Sequence, residues 1–283
     1  MEFEITKEGI KVYNKEDFCP QHILECGQMF CYEKCGQDYF VYPQNKFCKI
    51  IDKKDYFFIE TKDPQFFVDF FNLNTNYAQI KKQLCRFDEL KFAINYGKGI
   101  RIVKQDLFET IITFIFSANN NMKRIKASLD KLRQHFGEEI AKIDGKIFYA
   151  FPTLEQLKTL DATFFKSIGA GYRAEYLVET INVLGDFLNN FPQSCEKTSN
   201  EILENLLKLK GVGRKVADCI LLFGYNRNDV FPVDTWIKQV YSELFFNETN
   251  AVKISNLLKE RYKNLSGYAQ QYLFYSKRSL KHV

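Results

Sequence analysis

The sequence predicts an α+β fold, in which an N-terminal antiparallel β-sheet domain packs on a mainly α-helical remainder, and three observations lead there. Up to about Thr61, short apolar segments alternate as strands do and are separated by polar turns. Beyond Asp63 the apolar residues recur at three- and four-residue spacing, and no low-complexity linker divides the halves. The boundary falls near residue 95, giving a sheet domain at 1–95 and a helical domain at 96–283.

The strands are carried by Phe30 and Tyr32, then by the runs DYFVY, KFCKII and DYFFIE, with CGQD, YPQNK and DKKD as turns, which together read as an antiparallel meander. Leu107 to Ala118 is the longest apolar stretch; interrupted by Glu109 and Thr110 and far short of the ~20 residues that span a bilayer, it reads as a buried helix. Met122, Ile125, Leu129, Leu132 and Phe136 form the apolar face of a further helix that Gly137 ends. Thr153 with Gln156, and Thr198 with Glu201, have capping-box spacing ahead of apolar runs and mark two more helix starts.

Composition narrows the classes without choosing among them. Forty basic against 35 acidic residues give a net charge of +5, which permits a polyanionic partner but does not require one. The segment MEFEITKEGIK has no apolar core of a secretory signal, so a cytoplasmic protein with no membrane association is expected. Eight cysteines stand at 19, 26, 31, 35, 48, 85, 195 and 219 with no C-x-x-C pair, which favours free thiols over a zinc site. No metal or other cofactor is expected, and nothing marks a self-complementary surface, so a monomer is expected as well.

The most informative run is LLKLKGVGRKVADCILLFGYNRNDVFPVDTWIKQV, from Leu206 to Val240. Ile202, Leu206 and Leu209 lie on one helix face, Gly211-Val212-Gly213 reverses the chain, and a second helix begins near Arg214. Glycines there let backbone amides and the next helix N-terminus face a phosphate, while Val212 can plug the core between the helices. Lys215 falls in the first turn of that helix, where the dipole and the neighbouring Arg214 and Lys210 disfavour a charged amine and favour a nucleophilic one. A lysine amine can attack a sugar C1′ and hold the product as a Schiff base. Asp234, in Phe231-Pro232-Val233-Asp234, precedes Ile237, Val240, Tyr241 and Leu244 at helical spacing and reads as an N-cap. Its carboxylate could steady the positive character of the sugar as a base departs. Taken singly, G-V-G can just end a helix, a first-turn lysine can be a solvated residue, and an aspartate can be only a cap.

The combined run LKGVGRKVADCI…VFPVDTW resembles the helix-hairpin-helix, glycine/proline-rich loop and aspartate signature of a DNA glycosylase superfamily, with the hairpin unit at about 199–224. Within it, CGQMF at 26–30, FSANNNMKRI at 116–125, GAGYRAEYL at 169–177 and GYAQQYLF at 267–274 resemble the 8-oxoguanine DNA glycosylase branch. The resemblance implies a glycosylase/lyase acting on double-stranded DNA that contains 8-oxoguanine, with Lys215 as nucleophile and Asp234 as its partner. It implies that the Gly27 carbonyl accepts the N7–H that only the oxidised guanine has, that Gln270 reads the Watson–Crick edge, and that Phe274 and Cys219 sandwich the flipped purine. Asn119 and Tyr172 would fill and wedge the vacated space, Arg124 and Arg173 would contact the orphaned cytosine, and Gly211 and Gly213 would sit against the phosphates.

Two positions depart from the pattern. Trp236 stands where a histidine near the lesion phosphates is frequent, leaving one indole N–H as donor, and Tyr268 stands where a tryptophan is frequent. No cysteine follows Cys219, so the four-cysteine cluster of iron–sulfur relatives is not expected. The competing expectations are a water-using glycosylase for alkylated bases, against which Lys215 and CGQMF argue, and a non-catalytic helix-hairpin-helix DNA-binding protein, against which Lys215 and Asp234 together argue.

Overall fold

The computed structural model describes residues 2–245 and 248–280. Six strands form one antiparallel sheet: β1 (Phe3–Ile5), β2 (Gly9–Val12), β3 (Tyr32–Cys35), β4 (Asp38–Val41), β5 (Cys48–Asp52) and β6 (Phe57–Glu60), with the short helix α1 (Pro20–Leu24) between β2 and β3. The expected meander is β3 to β6, and the β1–β2 hairpin closes it by pairing β2 with β6, Ile10 opposite Ile59. Helix α1 went unseen in the alternating pattern although Pro20 occupies its first turn, a position where proline is favourable.

The helical part follows as α2 (Pro64–Phe70), α3 (Tyr77–Leu84), α4 (Asp88–Tyr96), α5 (Leu107–Ser117) and α6 (Met122–Phe136). After them come α7 (Leu154–Lys158), α8 (Ala162–Ser167), α9 (Arg173–Asn190), α10 (Ser199–Leu206), α11 (Arg214–Phe223), α12 (Thr235–Leu244), α13 (Ala251–Tyr262) and α14 (Ser266–Leu280). Thr153 and Thr198 each accept from the amide three residues on while Gln156 and Glu201 return the bond, so both capping boxes form. The expectation of helices alone after Asp63 needs correction: β7 (Glu139–Ile143) and β8 (Lys146–Tyr149) make a hairpin. Its signal, Asp144-Gly145 flanked by alternating apolar residues, is a hairpin turn in which both residues take positive φ.

Two apolar clusters hold these layers. The sheet and α2 share one with Val103 and Phe148, so the β7–β8 hairpin is a flap on the sheet. Tyr77, Leu84, Leu90 and Ile94 join the other, which is built around α5, α9 and α11. Polar groups fasten the two together. Arg101, fully buried, donates to the carbonyls of Phe71 (2.9 Å), Asp17 (3.0 Å) and Thr75 (2.9 Å) and to that of Asn72, and its guanidinium lies 4.1 Å over the Tyr77 ring. The buried Arg133 pairs with Glu109, whose other oxygen accepts the Gln44 amide at 2.9 Å. A buried ion pair stabilises only when its remaining valences are met; here the turn between β4 and β5 meets one of them, while Arg133 Nη1 has no partner among the described residues.

Candidate active site

The glycine hairpin is the site's frame. Leu206, Leu209 and Val212 are buried between α10 and α11, and Thr180 of α9 donates to the Lys210 carbonyl at 2.8 Å, tying the reversal to the third helix. Gly211 takes φ +79°, and a Cβ there would lie 2.9 Å from the Cβ of Tyr176. Gly213 is different: its φ is −84°, it is the exposed N-cap of α11, and an added Cβ would meet nothing within 4 Å. A contrast follows. Gly211→Ala is expected to destabilise the fold by about 1–3 kcal/mol in denaturant titration, from the left-handed backbone and the crowding. Gly213→Ala is expected to leave stability within about 0.5 kcal/mol while weakening duplex affinity several-fold, because its new methyl stands before the amides that would meet a phosphate.

Lys215, half-buried in the first turn of α11, places its Nζ 5.5 Å from the centre of the Phe114 ring and lies on the same helix as Cys219, one turn on. Burial pushes the Cys219 thiol up to about 11, and the Lys215 charge opposes the rise, so this sulfur is a neutral, polarizable wall. The sequence suggested that Arg214 and Lys210 crowd Lys215 with bare positive charge; instead Arg214 pairs with Asp218 at 3.0 Å and Lys210 with Glu179 at 3.8 Å. Asp218 is buried, and burial lifts its carboxyl to about 6 against the pull of Arg214.

Asp234 caps α12, accepting the Ile237 amide at 2.9 Å. Burial raises its carboxyl above the ordinary aspartate value, opposed by that amide and by the Lys215 charge. Lys215 and Asp234 are therefore electrostatically coupled across 19 residues of chain, and both line one cavity with Gly27, Phe114, Cys219, Phe223, Pro232, Gln270, Gln271 and Phe274. The cavity holds about 30 Å³ of free space. A purine is several times larger, so its entry requires side chains to turn aside; of the lining rings, Phe114 and Phe223 are buried and Phe274 is half-buried.

The cavity wall from the sheet domain is the turn at Cys26–Gln28. Gln28, fully buried, donates to the carbonyls of Ile23 and Arg101 (2.8 Å each) and accepts the Val103 amide at 3.0 Å. Gln271 of α14 donates to the Cys26 carbonyl at 3.3 Å. Held from both sides, Gly27 adopts φ +86°, with α14 so close that a Cβ would fall 2.5 Å from Arg278 Nη1 and 3.3 Å from Phe274 Cε1. Gln270 is 5% exposed and its Oε1 has no hydrogen-bond partner among the described residues. A buried, unmet carbonyl costs about 1–3 kcal/mol and is a reason to look for a polar ligand at that spot.

A second cluster lies just past the end of α5. In the A-N-N-N turn, Asn120 donates to the Phe116 carbonyl at 3.1 Å and Asn121 caps α6 by accepting the Arg124 amide at 3.0 Å, which leaves Asn119, exposed and at φ +47°, at the tip. Arg173 is 6% exposed and braces this turn, donating to Ala118 (2.5 Å), Ala170 (3.2 Å) and Asn119 (2.6 Å) carbonyls. Tyr172 is 52% exposed and stacks on Arg173 at 4.4 Å, and Arg124 is exposed. So Tyr172, Asn119 and Arg124 face solvent, whereas Arg173 acts on the turn itself. Trp236 is half-buried, and its backbone amide supports the Asp234 carboxylate.

Sequence reasoning missed Gln28, Phe114, Gln271 and Arg278. The first was visible inside CGQMF and the third as the second glutamine of AQQY, but their targets are backbone groups far away in the chain, which no local pattern displays.

Residues 11–111 match the family described as 8-oxoguanine DNA glycosylase, N-terminal domain, and residues 112–264 match HhH-GPD superfamily base excision DNA repair protein. An N-glycosylase/DNA lyase of Saccharomyces cerevisiae is 31% identical over 83% of this chain and 70% of its own length. One from Arabidopsis thaliana is 32% identical over 73% of this chain and 60% of its own. The structure of Clostridium acetobutylicum 8-oxoguanine glycosylase/lyase, solved with duplex DNA carrying cytosine opposite 8-oxoguanine, superposes with a TM-score of 0.92 at 34% identity, covering 99% of each chain.

Proposed function

The chain belongs to the 8-oxoguanine DNA glycosylase branch of the HhH-GPD superfamily, and on that premise we propose that it turns 8-oxoguanine out of duplex DNA, excises it, and nicks the strand as a lyase. The observation that carries this reading is the shared cavity: Lys215, Asp234, Cys219, Gln270, Phe274 and Gly27 come from distant parts of the chain and line it together. The Lys215 amine, as free base, attacks C1′ as the C1′–N9 bond breaks. The Asp234 carboxylate stabilises the positive charge passing through the sugar, and the base leaves with its electron pair. Opening of the sugar ring, in which the C1′–O4′ bond breaks and O4′ takes the proton lost by the amine, gives the imine at C1′. Removal of a C2′ proton then expels the 3′ phosphate, and water releases Lys215.

The base is held by its oxidised edge. A turn carbonyl at Gly27 accepts N7–H from 8-oxoguanine and repels the lone pair of guanine, and Gln270 Oε1 supplies the unmet acceptor for the Watson–Crick edge. Phe274 and Cys219 close on the two purine faces. Asn119 and Tyr172 enter the gap while Arg124 faces the unpaired cytosine, as a monomer acting on DNA in the cytoplasm. Arg124→Ala is therefore expected to lower the ratio of excision opposite cytosine to excision opposite adenine by about tenfold, measured in single-turnover assays.

The test is a panel of labelled duplexes carrying 8-oxoguanine, 3-methyladenine or guanine, each incubated with the protein with and without borohydride. Release of 8-oxoguanine with a reducible covalent adduct is expected. Release of the alkylated base with an intact abasic site would replace the reading by a water-using glycosylase, and duplex binding without release would reduce it to a binding module.

A further inference from the structure

Arg278 lies outside every motif that the sequence singled out, yet it packs directly behind two residues of the cavity wall, Gly27 and Phe274. It sits one helical turn beyond Phe274 on α14, with its guanidinium 5.2 Å from the centre of that ring. One terminal nitrogen, Nη2, donates to the Glu25 carbonyl, and the Glu25 side chain is itself held by the Tyr39 hydroxyl at 2.6 Å and by Lys34 at 3.2 Å. The anchor is therefore rigid. The other terminal nitrogen, Nη1, is buried without a hydrogen-bond partner among the described residues and points to the place where a side chain on residue 27 would start. The remaining part of the guanidinium borders an open groove lined by Glu25, Tyr32, Met122 and Lys126.

A buried guanidinium N–H left unmet costs more than a neutral donor, since charge-assisted bonds are about twice as strong as neutral ones. Its neighbours explain what it waits for. Gly27 offers no side chain, Phe274 offers a ring face, and both line one cavity with Gln270, whose Oε1 is also unmet among the described residues. On the reading above, the oxidised purine enters there with N7–H toward Gly27, and that N–H is flanked by two carbonyl oxygens, O6 and O8. We propose that Arg278 is a further specificity-determining residue of this site, donating from Nη1 to a carbonyl oxygen of the flipped base beside N7–H. The donor and the Gly27 carbonyl then form a two-point reader of the oxidised edge. The same stacked guanidinium stiffens Phe274 against the base.

This inference rests on the proposed excision of 8-oxoguanine, and the experiment separates the two. Single-turnover base excision from an 8-oxoguanine duplex and strand cleavage at a preformed abasic site are measured for the wild-type protein, Arg278→Met and Arg278→Lys, with thermal melting alongside. Methionine keeps the apolar packing on Phe274 but donates nothing. The expected result is a fall of about 10- to 100-fold in excision by R278M, with R278K intermediate and abasic cleavage unchanged in both, since an abasic site has no base to read. Equal loss in both reactions, or wild-type excision by R278M, would overturn the role of Arg278 while leaving the glycosylase reading intact. Absence of excision by the wild-type protein would overturn both.

Discussion

Lys215→Gln is expected to remove the borohydride-trapped adduct altogether and to slow excision of 8-oxoguanine by at least about 10⁴-fold, with abasic-site cleavage lost in parallel. The size follows from the role proposed for the residue: if it is the attacking group, removing it takes away the covalent route rather than weakening one contact. Binding is expected to behave differently. Glutamine, one bond shorter, still lays its stem beside Phe114, and the cation–π contact it loses is worth about 1 kcal/mol. Affinity for a lesion duplex, measured by fluorescence anisotropy, should therefore stay within about tenfold of wild type. If K215Q lost binding and chemistry equally, Lys215 would be a structural or phosphate-binding residue and the nucleophile would have to be sought elsewhere in the cavity.

Asp234→Asn should cost about 10³-fold in excision, from loss of the charge that faces the developing cation, with little change in fold, because asparagine caps a helix as well as aspartate and can still accept the Ile237 amide. The pH dependence gives a sharper check. Burial holds the Asp234 carboxyl above its ordinary value, the Ile237 amide and Lys215 only moderating this. In the proposed mechanism excision needs the carboxylate, so the rate should fall as pH drops through that raised value, and this acid limb should vanish in D234N. Stability runs the other way. The folded protein holds the Asp234 proton more tightly than the unfolded chain does, so between the unfolded and folded pKa values stability declines as pH rises. At neutral pH the wild-type protein carries that cost in full and D234N does not, so the variant should melt at or above the wild-type temperature. A D234N protein that melted far lower would show that the carboxylate charge stabilises the fold, against the cost that burial assigns to it.

The two substitutions share a lesson about the cavity. Lys215 and Asp234 are each placed by local rules, the first turn after a glycine hairpin and the N-cap after Phe-Pro-Val. Their coupling arises because α11 and the 232–234 segment line one cavity. The stability that burial of Asp234 gives up is of the kind active sites often give up for function.

The chain's periodicity was enough to separate a sheet from a helical part, to start helices at Thr153, Thr198 and Asp234, to end one at Gly137, and to bring two helices together at Gly211–Gly213. These are short-range effects: apolar spacing, capping oxygens and backbone freedom act over three or four residues, and a sequence displays them directly. Even so, the Asp144-Gly145 hairpin and α1 were overlooked, although turn chemistry and Pro20 announced them. Motif resemblance brought out Gly27, Cys219, Gln270 and Phe274 one by one. Folding added the parts that depend on distance in space. Gln28 and Arg101 secure turns through carbonyls some 70 residues away or more, Arg173 spends its donors on the Asn119 turn, and Arg278 meets Gly27 from the far end of the chain. Such bonds join a side chain to backbone groups, which every residue has, so no residue type at the receiving end marks them, and only the packed chain selects which carbonyl is met and which donor is left for a ligand.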